Sequence, residues 1–360
     1  MILGDLGADV VKVEQPGSGD ETRQWGPPWF GAGQMSAYFA SVNRNKRSLT
    51  LDLKSDAGRD LARQLATHAH IVIENFKVGG MAEFGLDYNS LRALNPALVY
   101  CSITGFGQDG PYKDRPGYDY VIQAMSGLMS ITGPADGEAH KVGVAVSDVF
   151  TGLFAVTGIL AALRHAERTG EGQYLDLALL DSQVAALVNV ASNVLVSQQT
   201  LPRLGNQHPN IVPYQTFQAA DQAFVVAVGN DRQFAALCQV LQQPAWITDD
   251  RFATNPQRLA HRSELVSALQ AIFITKPAND WVDALLAAGI PAGPINSVMQ
   301  ALYDPQVQSR AMVQSVDTPD GVLPLVISPL HFSGTPTSLR LPPPALGEHT
   351  TEVLREWLGA

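Results

Sequence analysis

Along the first half of the chain the apolar positions switch repeatedly between a period of two and a helical period. Residues 48–54 alternate, with Leu49, Leu51 and Leu53 on one face as in a half-buried strand, and Ser55 stands where a helix reaching to about His68 needs its N-cap. Ile71, Val72 and Ile73 form a short buried strand ending at Glu74-Asn75-Phe76. Residues 86–94 read as a helix stopped by Asn95-Pro96, and 98–103 as the next strand. A further strand is predicted over 142–146. It leads into a helix over 149–165, with Leu153, Val156, Ile159, Leu160 and Leu163 at core spacing and Gly170 closing it. A strand over 173–180 and an apolar helix through about Gln199 follow. Strands alternating with helices predict an α/β fold, a parallel sheet covered on both faces, in a large domain over 1–200.

The character of the chain changes after the loop that holds Pro202, Gly205 and Pro209. Two adjacent strands over 214–219 and 223–229, then helices near 233–241, 263–274 and 279–288, predict a smaller α+β domain at 205–290. Residues 291–360 are proline-rich and turn-rich, with a strand at 323–327 and a last helix at about 348–358. The opening Met1 to Gly7 reads as the end of a helix capped by Gly7, running into a strand over 8–14. A parallel sheet normally places a strand before such a helix, so an upstream segment is expected.

With 360 residues, 46% of them hydrophobic and 16% charged, the chain can build proper cores. No run approaches the roughly 18 uninterrupted apolar residues of a membrane span, and Met1 to Asp9 lacks the basic opening of a secretory signal, so a cytoplasmic protein is expected. Cys101 and Cys238 are too few for a disulfide framework or a cysteine-rich metal site, and the histidines form no zinc pattern, so no metal is expected. A formal charge of −10 disfavours nucleic acid and anionic membranes as partners. The cluster Arg44, Lys46 and Arg47 reads as a solvated turn before a strand, or as a contact for a small phosphorylated ligand.

Gly105-Phe106-Gly107-Gln108-Asp109-Gly110 matches the dinucleotide-binding spacing, but Pro111 and Pro116 prevent the helix whose N-terminus would hold a pyrophosphate. It reads instead as a loop whose glycines let backbone approach a ligand. Asp148 falls between the predicted strand and helix, at the end of an α/β sheet where ligands bind. A helix cap alone would explain it. The two roles are compatible, because a helix N-terminus favours an ionised carboxylate and such a carboxylate can attack an activated acyl carbon. Tyr118 and Asp119 begin a predicted helix or form a capping turn, and no serine sits in a nucleophile elbow.

Several motifs in order resemble one family: residues 6–14 (Leu6-Gly7-Ala8-Asp9 to Glu14), Asn45-Lys46-Arg47-Ser48, Glu74-Asn75-Phe76, Asn95-Pro96, Gly105-Phe106-Gly107, Ser147-Asp148-Val149-Phe150-Thr151-Gly152 and Leu346-Gly347-Glu348-His349-Thr350. The sequence is similar to the class III CoA-transferases of the CaiB/BaiF type, which include formyl-CoA, carnitine and dicarboxylate CoA-transferases and the α-methylacyl-CoA racemases. The resemblance implies a Rossmann-like large domain built from both chain ends, with 291–360 returning to it, a small middle domain, and a homodimer of interlocked rings. It implies CoA transfer between an acyl thioester and a carboxylic acid, with no permanently bound cofactor, and makes Asp148 the catalytic nucleophile. CoA-binding positions carry over onto Gln15, Leu51, Asp52, Leu53, Lys54, Asn75, Phe76, Lys77, Pro116, Gly117, Tyr118 and Asp119. Lys54 and Lys77 are the implied phosphate partners, while Gln15 and Glu83 stand where relatives carry basic residues. Gly205, Asn206, Gln207 and His208 match the loop that closes over the intermediates, and 208–215 is similar to enzymes that use succinyl-CoA.

Two other readings follow from the same likeness. Racemases pair a histidine with the aspartate, and Tyr118 occupies that position. A phenol, with an ordinary pKa of about 10, is a poor base near neutrality. Relatives also begin further upstream, with a strand and an Ala-Gly-Pro loop at the active site, so a shortened, impaired member is the third reading.

Overall fold

The structure, a computed structural model, describes residues 1–32 and 35–359. The chain forms two compact units, the first made of 1–127, 143–193 and 302–360, the second of 128–142 and 194–301. The second unit is thus wider than the 205–290 expected from sequence. Residues 128–142 belong to it because the Pro134 and Gly137 carbonyls accept hydrogen bonds from Arg203. Residues 291–301 stay with it because Ala292–Pro294 pairs with Ala223–Ala227.

In the first unit, β1 (Val11–Glu14) pairs in parallel with β2 (Arg47–Thr50). Strands β3 (Ile71–Glu74), β4 (Val99–Thr104) and β5 (Tyr174–Ala178) form a parallel sheet in that order. The helices that matter below are α1 (Ala37–Asn43), α2 (Asp56–His68), α3 (Tyr88–Arg92), α4 (Asp119–Met125), α5 (Val146–Thr169), α6 (Leu179–Ala185) and α7 (Val188–Ser197). Alternate residues of β4 serve opposite faces. Val99 and Cys101 pack on Ala155, Ile159, Ala162 and Ala166 of α5, while Tyr100 packs with Ala66 of α2 and Leu91 of α3. This is the two-sided burial that its unbroken apolar run predicts.

Local signals placed several boundaries correctly. Ser55 Oγ accepts the Gly58 N–H at 3.0 Å to start α2, and α5 ends at Gly170 with φ 74°. Two predicted elements are corrected. Residues 142–146 form no strand, and α5 begins at Val146; the predicted helix through Gln199 breaks into α6 and α7 at Val188, whose φ is 45°. The tail forms a hairpin of Val313–Thr318 with Gly321–Val326, and the closing helix Thr350–Leu358 buries Val353 against Leu49, Leu51 and Leu65.

The basic cluster before β2 is neither a solvated turn nor a free anion site. Arg44 is 2% exposed and grips the Asp5 carboxylate at 2.6 Å and 3.0 Å, with Asn45 Nδ2 donating to the same group at 2.8 Å. Arg47 bonds Asp9 at 2.5 Å, Glu352 at 2.9 Å and Glu356 at 2.6 Å. These cations fasten both chain ends to β2.

The second unit has an antiparallel sheet in which β7 (Ala223–Ala227) lies between β6 (Tyr214–Gln218) and β8 (Ala292–Pro294). Helices α8 (Asp231–Val240), α9 (Arg262–Phe273) and α10 (Ala278–Ala287) pack around it. Phe273 is the hub of the core: its ring lies 4.9 Å from Phe217 and 5.4 Å from Trp281, whose Nε1 donates to the Phe273 carbonyl at 2.8 Å. Cys101 and Cys238 are buried free thiols, each pushed up to about 11 chiefly by burial.

Candidate active site

The implied CoA positions of the first unit all follow the carboxyl ends of parallel strands, where α/β sheets bind ligands. At the end of β1, burial opposes ionisation of Glu14. Hydrogen bonds from Arg23 (2.7 Å and 2.8 Å) and Ser48 (2.6 Å) nevertheless hold its carboxyl below the usual range. This anchored residue presents the exposed Gln15 beside the end of β2, because Leu51 N–H donates to the Glu14 carbonyl at 3.0 Å. Leu51 is buried and Leu53 half-buried. Asp52 accepts the Lys54 N–H at 3.0 Å, leaving the Lys54 side chain exposed at the start of α2.

After β3, Asn75, Phe76 and Lys77 are exposed, with Phe76 N–H bonded to Glu74 at 2.7 Å and its ring edge-on to Phe84 at 6.1 Å. Lys77 is not free for phosphate as it stands, since Glu83 pairs with it at 2.9 Å. After β4, Gly105 and Gly117 cross so closely that a Cβ on either would lie 2.6–2.7 Å from the other's Cα. Only glycine permits this contact, which sets the Pro116–Asp119 turn against the end of β4. Tyr118 there is 68% exposed and stands at the N-cap of α4 without capping it.

Asp148 lies inside the first turn of α5 and is not its cap. The N-cap is Ala145, which has no acceptor; instead Asp119 Oδ1 takes the Ser147 N–H at 2.8 Å. The other Asp119 oxygen accepts from Gln123 Nε2 at 2.7 Å, and Ser147 Oγ donates to Gln183 at 2.9 Å. The Asp148 side chain is exposed, and among the described residues its carboxylate has neither a hydrogen-bond nor an ion-pair partner. Its pKa is pushed up from the ordinary 3.8 to about 6, first by the protein atoms crowding it and then by the charge of Asp119.

Gly205, Asn206, Gln207 and His208 belong to the second unit. Gly205 takes φ 57°, Asn206 donates to Thr216 at 3.1 Å, Gln207 N–H bonds the Leu204 carbonyl at 3.1 Å, and His208 N–H bonds the Tyr214 carbonyl at 3.0 Å. Arg262 holds the loop through the His208 carbonyl at 2.8 Å, and burial and then this cation lower the His208 pKa.

Within the first unit, ligand-competent strand ends and an unpartnered carboxylate with a raised pKa are chemistry for an activated acyl group. A family model described as CoA-transferase family III matches residues 1–350. This chain belongs to CoA-transferase family III. The transferase is 50% identical to succinate–glutarate CoA-transferase of Agrobacterium fabrum, over 99% of this chain and 90% of the relative. It is 43% identical to succinyl-CoA:glutarate CoA-transferase of Mus musculus, over 99% and 82%. A CAIB/BAIF family protein from Brucella suis, known from a crystal structure, is 46% identical with a TM-score of 0.86, over 99% of this chain and 93% of that one.

The surroundings of Asp148 include residues the sequence did not mark. Tyr38 of α1 is exposed, with Trp25 edge-on at 4.9 Å; burial first, then the charges of Asp148 and Asp119, raise its pKa. Gln123, Ser147 and Gln183 underlie Asp148. Of these only Ser147 carried a signal, through its place in the Ser147-Asp148 motif.

Proposed function

We propose that the transferase moves CoA from succinyl-CoA to a dicarboxylic acid of glutarate type, with Asp148 as the nucleophile. The observation that carries this reading is the unpartnered Asp148 carboxylate, in contrast to Asp5, Glu14 and Asp119, whose oxygens are taken by protein donors. The choice of acids rests on the names of the two relatives above.

In this reading the Asp148 carboxylate adds to the thioester carbonyl and expels CoA thiolate, forming a mixed anhydride. The thiolate attacks the aspartyl carbonyl, releasing the first acid and leaving an aspartyl-CoA thioester. The acceptor carboxylate then forms a second anhydride and expels the thiolate, which takes the new acyl group and frees Asp148. Each addition develops an oxyanion that N–H or O–H donors stabilise.

We also infer a homodimer. Supporting it are Val149, Leu153, Phe154 and Leu160, which leave one side of α5 apolar and exposed; by length and composition alone α5 is apolar enough to cross a bilayer. Light scattering on the purified chain tests this, and a monomer at micromolar concentration refutes it.

The decisive experiment incubates the protein with succinyl-CoA and a panel of carboxylic acids and follows acyl-CoA masses, beside Asp148→Ala and hydroxylamine trapping. CoA exchange that vanishes in Asp148→Ala, with a hydroxamate at Asp148, supports the reading. Loss of α-stereochemistry in a branched acyl-CoA without exchange would overturn it in favour of racemisation.

A further inference from the structure

Helix α5 starts without a cap of its own, and the residue that replaces the cap comes from another helix. Val146 N–H turns back to the Val144 carbonyl at 2.8 Å, and Ser147 N–H, the next donor, reaches Asp119 Oδ1 at 2.8 Å. Asp119 is held in turn by Gln123 at 2.7 Å, whose amide also reaches the Val144 carbonyl at 3.4 Å. Ser147 and Gln123 are 0% exposed and Gln183, which accepts the Ser147 hydroxyl, is 1% exposed, so this network is locked in the interior. It couples α4, α5 and α6 at the residue next to Asp148.

We propose that Asp119 is a positioning residue for the transfer reaction, capping α5 from outside and thereby fixing the direction in which Asp148 meets the thioester. This rests on Asp148 being the nucleophile. It differs from a CoA-contact role for Asp119, since a contact would be felt in acyl-CoA binding whereas alignment is felt in the chemical step. A second consequence is electrostatic. Among the described residues, the titratable groups that interact electrostatically with Asp148 are Asp119 of α4 and Tyr38 of α1, and after burial the Asp119 charge helps keep the nucleophile more basic than an ordinary aspartate while it remains ionised at neutral pH.

Two variants test it. Asp119→Ala removes the acceptor of Ser147 N–H and the charge, whereas Asp119→Asn keeps an oxygen for Ser147 N–H and loses the charge together with the acceptor of the Gln123 amide. The expected result for Asp119→Ala is a kcat for CoA exchange lower by roughly 10- to 100-fold with KM for acyl-CoA nearly unchanged, the cost of misaimed reactants. Asp119→Asn should keep most of kcat and move the acid limb of its pH profile below that of the wild type. Should Asp119→Ala fail to fold by circular dichroism, the shifted limb of Asp119→Asn carries the test. Wild-type kcat in Asp119→Ala, a raised KM at unchanged kcat, or an unmoved acid limb in Asp119→Asn would overturn the inference. Asp148→Ala separates the two levels: full activity there overturns the nucleophile and this inference together. An inactive Asp148→Ala beside a wild-type-like Asp119→Ala overturns only the role of Asp119.

Discussion

The Lys77 ammonium lies 2.9 Å from the Glu83 carboxylate, so the cation best placed after β3 to meet a CoA phosphate is already paired. Both side chains are largely exposed, and such pairs are worth little and open readily. Glu83→Gln should therefore free Lys77 and lower KM for acyl-CoA by about 2- to 5-fold at low ionic strength, an advantage that shrinks with salt. Steady-state kinetics at two salt concentrations would show it. A KM that ignores both the substitution and salt would argue against Lys77 as a phosphate contact.

The raised pKa of Asp148 sets a pH dependence. With a folded-state value of about 6, the nucleophilic carboxylate is lost below that pH, so kcat/KM should fall through an acid limb centred near 6. Stability runs the other way. The folded state holds the proton more tightly than the unfolded state does, so the Asp148 contribution is greatest below the ordinary 3.8 and is lost as pH rises through about 6. Asp148→Asn should consequently be inactive yet melt no lower than the wild type at pH 7.5.

After burial, the charges of Asp148 and Asp119 raise the Tyr38 pKa, and its phenol O–H is a donor for an acyl oxygen. Tyr38→Phe should reduce kcat by roughly 3- to 10-fold, the size of one neutral hydrogen bond, while thermal stability holds. An unchanged kcat would place Tyr38 outside the reaction.

Arg44 and Asp5 form a buried pair, 2% and 4% exposed, so removing one partner strands a charge. Arg44→Met should destabilise the fold by about 3–5 kcal/mol in urea unfolding, and Asp5→Asn introduced beside it should recover part of that loss. A double mutant whose loss is the sum of the two single losses would mean that the two residues do not interact.

Gly105→Ala would place a methyl 2.7 Å from the Gly117 Cα. The Pro116–Asp119 turn must move to relieve it, so about 1–3 kcal/mol of stability and a larger share of kcat should be lost. Wild-type kinetics in a stable Gly105→Ala protein would show that this crossing does not position the site.

Most of the first unit was legible because its signals are local. The alternating leucines of residues 48–54, Ser55 before α2 and Gly170 after α5 act on their own stretch of backbone and have the same effect in any context. The site was legible only in part. The Asp148 motif marked the proposed nucleophile, whereas residues 142–146 looked like a strand because alternating valines and small residues satisfy that pattern even where, among the described residues, no neighbouring strand pairs with them.

The sequence by itself determined the alternation of elements in the first unit, the helices and paired strands of the second, and the family that the chain resembles. What tertiary structure decided is which charges and donors find partners. Arg44 and Arg47 became internal fasteners because Asp5, Asp9, Glu352 and Glu356 fold onto them, and Asp148 was left free while Asp119, 28 residues before Ser147, took over the capping of its helix. A side chain's propensity depends on its neighbours along the chain, but its hydrogen-bond partner and its pKa depend on what the fold brings within a few ångströms.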